Sequence, residues 1–351
     1  SLANIGNDKL KWETVTRISV GLDMSVWNDR LSLGFNYYKS YVNNMLAYKT
    51  LGGVSGLRNY WSNEGKMENQ GFDVAAVAKV MALKDFSWEI SASVGHYKNE
   101  VTALPDNDKT VYTSVYGGEV MTKVGNPVGL FYGYKTQGVF ATSEEAAETD
   151  LRNGSKNGSA FRAGDVHFSD LVADGVIDNK DKDVIGNPNP DVFGNFGTSL
   201  HYKNWTLDAF FSYSLGNDIY NYQRAVLESG NSYYNQTTAM LNRWTSEGQL
   251  TSIPRVEYGD RMGNARFSDR WIEDGSYLKL KTLSLSYRFP FNLTFLQGIT
   301  VWGAANNLFT CTKYLGSDPE LSISGNPIYQ GIDRGLLGHG RSFVLGVKIN
   351  L

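Results

Sequence analysis

Between residues 11 and 27 the chain reads KWETVTRISVGLDMSVW, and its apolar and polar positions alternate. Ile18, Val20, Leu22, Met24 and Val26 share one face, while Arg17, Ser19, Gly21, Asp23 and Ser25 share the other, which is the period of a strand. After Asn28-Asp29-Arg30, Leu31, Leu33, Phe35 and Tyr37 oppose Ser32, Gly34, Asn36 and Tyr38. FSWEISASVG repeats the pattern from Phe86, and SFVLGVKINL repeats it at the end of the chain. Taken along the whole sequence, the alternation predicts nine strands, near 11–27, 31–47, 68–83, 86–100, 193–203, 205–217, 277–290, 299–312 and 341–351.

A soluble sandwich with one wet face would show the same period. Three features favour a transmembrane barrel instead. The predicted strands outrun the five or six residues usual in globular sheets. Short turns at 28–30, 83–85 and 203–204 and a modest one near 291–298 alternate with long segments at 48–67, 101–192, 218–276 and 313–340. Outer-membrane barrels have this asymmetry, with short periplasmic turns and long extracellular loops. Aromatics gather beside the short turns, at Trp27, Phe86, Trp88, Tyr202, Trp205, Tyr287 and Phe289, as an interfacial girdle would. The fold class expected is therefore all-β, an antiparallel transmembrane β-barrel. Nine is an odd count, and an open sheet edge cannot face lipid unsatisfied. The strands are thus expected to be the C-terminal portion of a larger barrel, with SLANIGNDKL lying on an extracellular loop of it.

Composition narrows the chemistry. The 351 residues carry a net charge of -3, which gives no electrostatic footprint for nucleic acid. Cys311 is the single cysteine, and the four histidines, His96, His167, His201 and His339, show no metal-motif spacing. The most apolar window, VAAVAKVMAL at 74–83, is about half the roughly 20 residues of a spanning helix. No Ser/His/acid constellation, nucleophile elbow or phosphate loop is present, so the chain is not expected to be an enzyme.

One stretch does suggest a cation. In FSDLVADGVIDNKDKDVIGNPNPD at 168–191, counting from Asp170, acids fall at positions 1, 5, 9 and 12, namely Asp170, Asp174, Asp178 and Asp181. Gly175 stands at position 6 and the Val176 carbonyl at 7, which is close to calcium-loop spacing. Val172 at position 3 cannot coordinate, and the alternative is an Asp/Gly turn whose carboxylates accept backbone N–H groups. Calcium is the one candidate cofactor. Arg58, Tyr60, Trp61, Tyr112, Tyr116, Tyr233, Tyr234 and Arg270 fall in long loops and are candidates for contact with substrate or a partner protein. The competing role is packing of loop on loop, which Trp271 also suits.

A set of ordered motifs carries a family resemblance. GNDKLKWET at 6–14, NEGKMENQGFD at 63–73, VGNPVGLFYGYKTQGVF at 124–140, DGVID and IGNPNPD within 174–191, and GNDIYNY at 216–222 resemble the C-terminal half of SusC/RagA-type TonB-dependent transporters of Bacteroidota. LNRWT at 241–245, SDRWIEDGSYLKLKTLSLSY at 268–287, NNLFTCTKY at 306–314 and GSDPE at 316–320 continue the resemblance. The resemblance implies a barrel of about 22 strands in the bacterial outer membrane, surrounding an N-terminal plug domain that is absent from this chain. It implies uptake of oligosaccharides or peptides energised through TonB, with contact to TonB made by the missing N-terminal part. It also implies a SusD-like surface lipoprotein as partner. A structural or adhesive barrel is the alternative, and a plug encoded upstream would discriminate the two. Leu351 departs from the aromatic residue that often ends such barrels.

Overall fold

The computed structural model describes residues 4–5, 7–8, 10–50, 59–105, 108–293 and 296–350, with the backbone alone at 4–5, 47–50, 59–60, 291–293 and 296–297. Nine long strands form one continuous antiparallel wall: β1 (Thr14–Val26), β2 (Leu31–Thr50), β3 (Asn59–Ala82), β4 (Phe86–Ala103), β5 (Val192–Tyr202), β6 (Trp205–Leu215), β7 (Tyr277–Leu293), β8 (Leu296–Thr312) and β9 (Ser342–Asn350). They are paired in chain order. A two-residue strand, Asn4–Ile5, adds a parallel pair at Asn59 and Tyr60. Among the described residues, β1 and β9 each have one neighbour in the wall and so present free edges.

Alternation along each strand sorts side chains onto two faces. Ile18, Val20, Leu22, Phe35, Leu285, Leu345 and Val347 lie exposed on one of them. The other is linked by polar contacts between neighbouring strands. Asn36 donates to Asp73 at 2.9 Å, Ser199 to Asp208 at 2.6 Å, and Asn306 to Ser342 at 3.0 Å. An apolar outer face over a polar inner one is the arrangement of a membrane barrel. At the short-turn end, Trp205 and Tyr287 rings lie 4.7 Å apart, and Tyr287 and Phe289 lie 4.6 Å apart. Trp27, Asn28 and Asp29 turn the first hairpin with φ of 57°, 53° and 60°, a run of left-handed residues that short polar side chains tolerate best.

Two expected connections differ in the structure. The segment 48–67, expected as a long loop, is largely strand. β2 and β3 stay paired up to Thr50 and Asn59, with 51–58 outside the described residues. The pairing survives because the register shift near Asn44 is absorbed in a bulge: Asn44 takes φ 55°, and its carbonyl accepts from Asn63 Nδ2 at 3.0 Å. The turn near 291–298 is tighter than expected, since Leu293 pairs with Leu296 and only 294–295 lie outside the described residues.

The other long connections are folded. Within 104–191, a four-stranded antiparallel sheet runs in the order Lys182–Gly186, Leu130–Tyr134, Gly118–Lys123, Thr110–Val115. Helix α1 (Ser143–Thr149) follows, capped by Thr142, which accepts from the Glu145 N–H at 3.1 Å. Asp218–Asn221 pairs with Ile272–Asp274 on one side and Ile332–Asp333 on the other, joining the last two long loops. Val115, Val120, Phe131, Tyr220, Trp271 and Ile332 form one buried cluster drawn from all three loops. The hydrophobic core therefore lies mainly in the loops and not along the wall.

Candidate functional site

Buried and half-buried polar contacts lock the 104–191 and 218–276 connections together. Asp165 is fully buried; it accepts from Arg255 Nε at 2.7 Å and Asn264 Nδ2 at 2.9 Å, across 90 and 99 positions of sequence. Asn264 in turn accepts from the Val166 N–H at 2.8 Å, so each polar group in this buried spot has a partner. Asp269 accepts from both the Thr136 N–H and its hydroxyl, at 3.0 and 2.6 Å.

A second lock ties the last loop to the wall. Lys279, only 2% exposed at the upper end of β7, donates to Asp318 at 2.8 Å and to Glu320 at 2.7 Å. Lys281 adds a contact to Glu320 at 2.7 Å, and His339 Nδ1 lies 2.8 Å from Asp318 Oδ2. Burial alone would push the Asp318 carboxyl up. The hydrogen bonds from Lys279 and His339 overcome that and hold it down at about 2. Glu320 is lowered in the same way, with burial opposed by Lys279 and Lys281. Asp318, Glu320 and His339 are the one group of three metal-capable side chains among the described residues with ligand atoms within 4.8 Å of one another. The Lys279 ammonium already sits between its two carboxylates.

The 168–186 segment forms a carboxylate-held turn. Asp170 accepts from the Gly175 N–H at 2.7 Å, Asp174 from the Val176 N–H at 3.0 Å, and Asp178 from the Lys180 N–H at 2.7 Å. Asp181 is buried, accepts from Leu171, Val172 and Asp178 N–H groups, and completes a capping box with Asp178. Val176 is buried and pairs in parallel with Arg152. Each of the four acids thus has a backbone N–H donor on its carboxylate.

The aromatic and basic candidates separate into two groups. Arg270, a candidate for contact with substrate or a partner, lies half-buried over the Trp271 ring at 4.7 Å and donates to the Asn264 carbonyl at 2.8 Å. Burial and then the neighbouring Arg224 guanidinium depress it to about 10. Trp271 is 1% exposed and serves the shared core. Tyr116 packs between Tyr222 at 5.4 Å and the Arg334 guanidinium at 5.0 Å, again loop on loop. Tyr233 and Tyr234 are the opposite case, 90% and 71% exposed, with Tyr233 stacked on Tyr258 at 4.8 Å. Trp61 and Tyr112 are part-exposed, and the Tyr112 ring lies 4.8 Å from Tyr132. Arg58 and the side chain of Tyr60 lie outside the described residues.

Sequence reasoning missed an open cleft on the four-stranded sheet. Its volume is about 370 Å³, and Ser114, Glu119, Tyr132, Tyr134, Asn179 and Lys182 line it together with Phe267. Lys182 donates to Glu119 at 3.0 Å across it. Lys182 and Glu119 stand 63 positions apart, so no local spacing marks the pair.

The family model described as TonB dependent receptor-like, beta-barrel, matches residues 1–308. The chain belongs to that family. This receptor barrel is 31% identical over 361 residues to TonB-dependent receptor P3 of Formosa agariphila, covering 99% of the chain and 35% of that relative. It is 28% identical to TonB-dependent receptor SusC of Bacteroides thetaiotaomicron, covering 98% of the chain and 32% of SusC. Its fold superposes on the RagAB peptide transporter with a TM-score of 0.81 at 24% identity, covering 99% of the chain and 36% of that structure. The receptor barrel thus spans about a third of the length of these relatives, and it is a protein of the outer membrane.

Proposed function

We propose that this chain forms part of the wall and the extracellular loop body of a transporter importing an oligosaccharide or peptide across the outer membrane. TonB supplies the energy, acting on a plug contributed by the rest of a longer protein, and a SusD-like lipoprotein covers the mouth. The observation that supports this reading most is the single loop body built from three long connections over a SusC-like wall. A welded platform suits a partner that must swing against it. The exposed Tyr233, Tyr234 and Tyr258, with Leu241 and Leu250 on the same loop, provide anchor residues of the kind that dominate interfaces.

The test uses the full-length transporter in its native membrane. After mild detergent extraction, a SusD-like lipoprotein is expected to co-purify with the wild type and to be recovered at least tenfold less with Tyr233→Ala, Tyr234→Ala and Tyr258→Ala combined. Uptake of labelled nutrient should fall in the same variant and vanish when TonB is removed. Uptake that persists without TonB sinks the energised-import reading. A triple variant that still carries the lipoprotein moves the docking face elsewhere.

A further inference from the structure

The cleft on the loop sheet has features that point to a ligand class. At about 370 Å³ it falls at the lower end of the roughly 300–1,000 Å³ of small-molecule sites. Gly133 and Gly118 bring its floor against Phe267: a Cβ on Gly133 would lie 2.7 Å from the Phe267 carbonyl oxygen, and one on Gly118 would lie 2.8 Å from its ring. Gly117 at the rim has open space above it, with no atom within 4 Å of where a Cβ would be. Tyr132 is half-buried in the lining and Tyr134 is buried at its base. Glu119 and Lys182 are paired at 3.0 Å, so neither charge stands alone in the cleft. Arg266 also borders the cleft and keeps its charge, with its Nε donating to the Gly263 carbonyl and its Nη2 to Asn153 Oδ1 at 2.7 Å and the Met262 carbonyl.

We infer that this cleft is a subsite for a neutral, hydroxyl-rich ligand, one or two sugar units of a glycan. A charged ligand would have to break the Glu119–Lys182 pair, whereas vicinal hydroxyls can donate to the carboxylate and accept from the ammonium without separating them. Asn179 and Ser114 add donors and acceptors at the rim, and tyrosine offers an apolar face with a polar tip for the sugar ring. The inference rests on the import reading in taking the ligand from the transported nutrient, and it selects the glycan branch of that reading.

The experiment is saturation-transfer NMR on the complete transporter and its lipoprotein in nanodiscs. The probes are a set of neutral disaccharides spanning glucose, galactose, mannose and xylose linkages, with triglycine as the peptide comparison. At least one disaccharide is expected to show ring-proton saturation that falls fivefold or more in Ser114→Trp, which fills the exposed mouth while leaving the charged pair in place. Glu119→Gln combined with Lys182→Met should do the same, and Asn179→Leu should weaken it less. Unchanged hydrogen-exchange protection of 110–134 shows that these variants are folded; a variant failing that check is replaced by Asn179→Trp at the other rim. Absence of any disaccharide signal above the blocked variants, or equal saturation of triglycine, overturns the inference. If the cleft binds no sugar while TonB-dependent uptake proceeds, the subsite is wrong and the import reading stands. Sugar binding without any uptake leaves the subsite standing and overturns import.

Discussion

The wall and the loop body solve the same problem in opposite ways. In the wall, Phe343, Leu345 and Val347 point outward and are exposed, so their burial has to come from lipid. In the loops, Phe131 is buried in a cluster shared by all three, and Phe140 and Phe168 in one that the 104–191 connection builds with Met262, as in a water-soluble domain. Polar groups divide in the same way. Those on the inner wall face form ladders such as Asn306 to Ser342, while in the loops a group such as Asp165 is fully buried and held by partners from another loop. Stability in the first region depends on the surrounding membrane and in the second on packing, so substitutions should affect each region by its own rule.

The sharpest separation should come from Phe131→Ala. It empties the centre of the cluster shared by the three loops and is expected to cost about 3–5 kcal/mol. Hydrogen exchange should then rise at 218–221 and 332–333 while the wall amides of β7 and β8 stay protected. A uniform loss across wall and loops would mean that the two regions unfold together. Leu345→Arg should come next, costing about 2–4 kcal/mol near the middle of β9 if that face meets hydrocarbon. Urea titration in liposomes measures it, and a cost near zero would place that face in water. The smallest effect is acidification. Asp318 has a folded value of about 2 against an ordinary 3.8, so its contribution is complete above about pH 4 and is lost as pH falls towards 2. Protease sensitivity at 313–340 should rise across that window, and Asp318→Asn should be sensitive already at pH 7. Sensitivity of the wild type that has already set in above pH 5 as the pH is lowered would assign the lock to another group.

The wall could be read from the sequence almost strand by strand, because a period of two shows within each segment and needs no distant partner. The nine predicted spans agree with β1–β9 apart from their ends, and β2 and β3 run further, into the segment 48–67 expected as a loop. The loop body was not legible. Its strands run from two to six residues, too short to display a period, and Phe131, Tyr220, Trp271 and Ile332 meet from separate loops. The packing of Arg270 was hidden for a related reason. Its residue type suits an interface, and its enclosure arises from Trp271 and Asn264 folding around it. The Asp170–Asp181 spacing was legible, but spacing does not reveal which backbone N–H groups the carboxylates accept from.

The weld at Asp165 has a consequence for how such a transporter can change. The 104–191 connection leaves and rejoins the wall on adjacent strands, where Gly95 of β4 pairs with Phe193 of β5, so by wall geometry alone it could be exchanged as a cassette. Arg255 and Asn264, however, are supplied by a different connection, and without Asp165 they would lose their buried partner. The unit that can be transplanted between barrels is therefore the interlocked set of loops. Grafts that move one loop should fail on a stranded charge well before they fail on strand register.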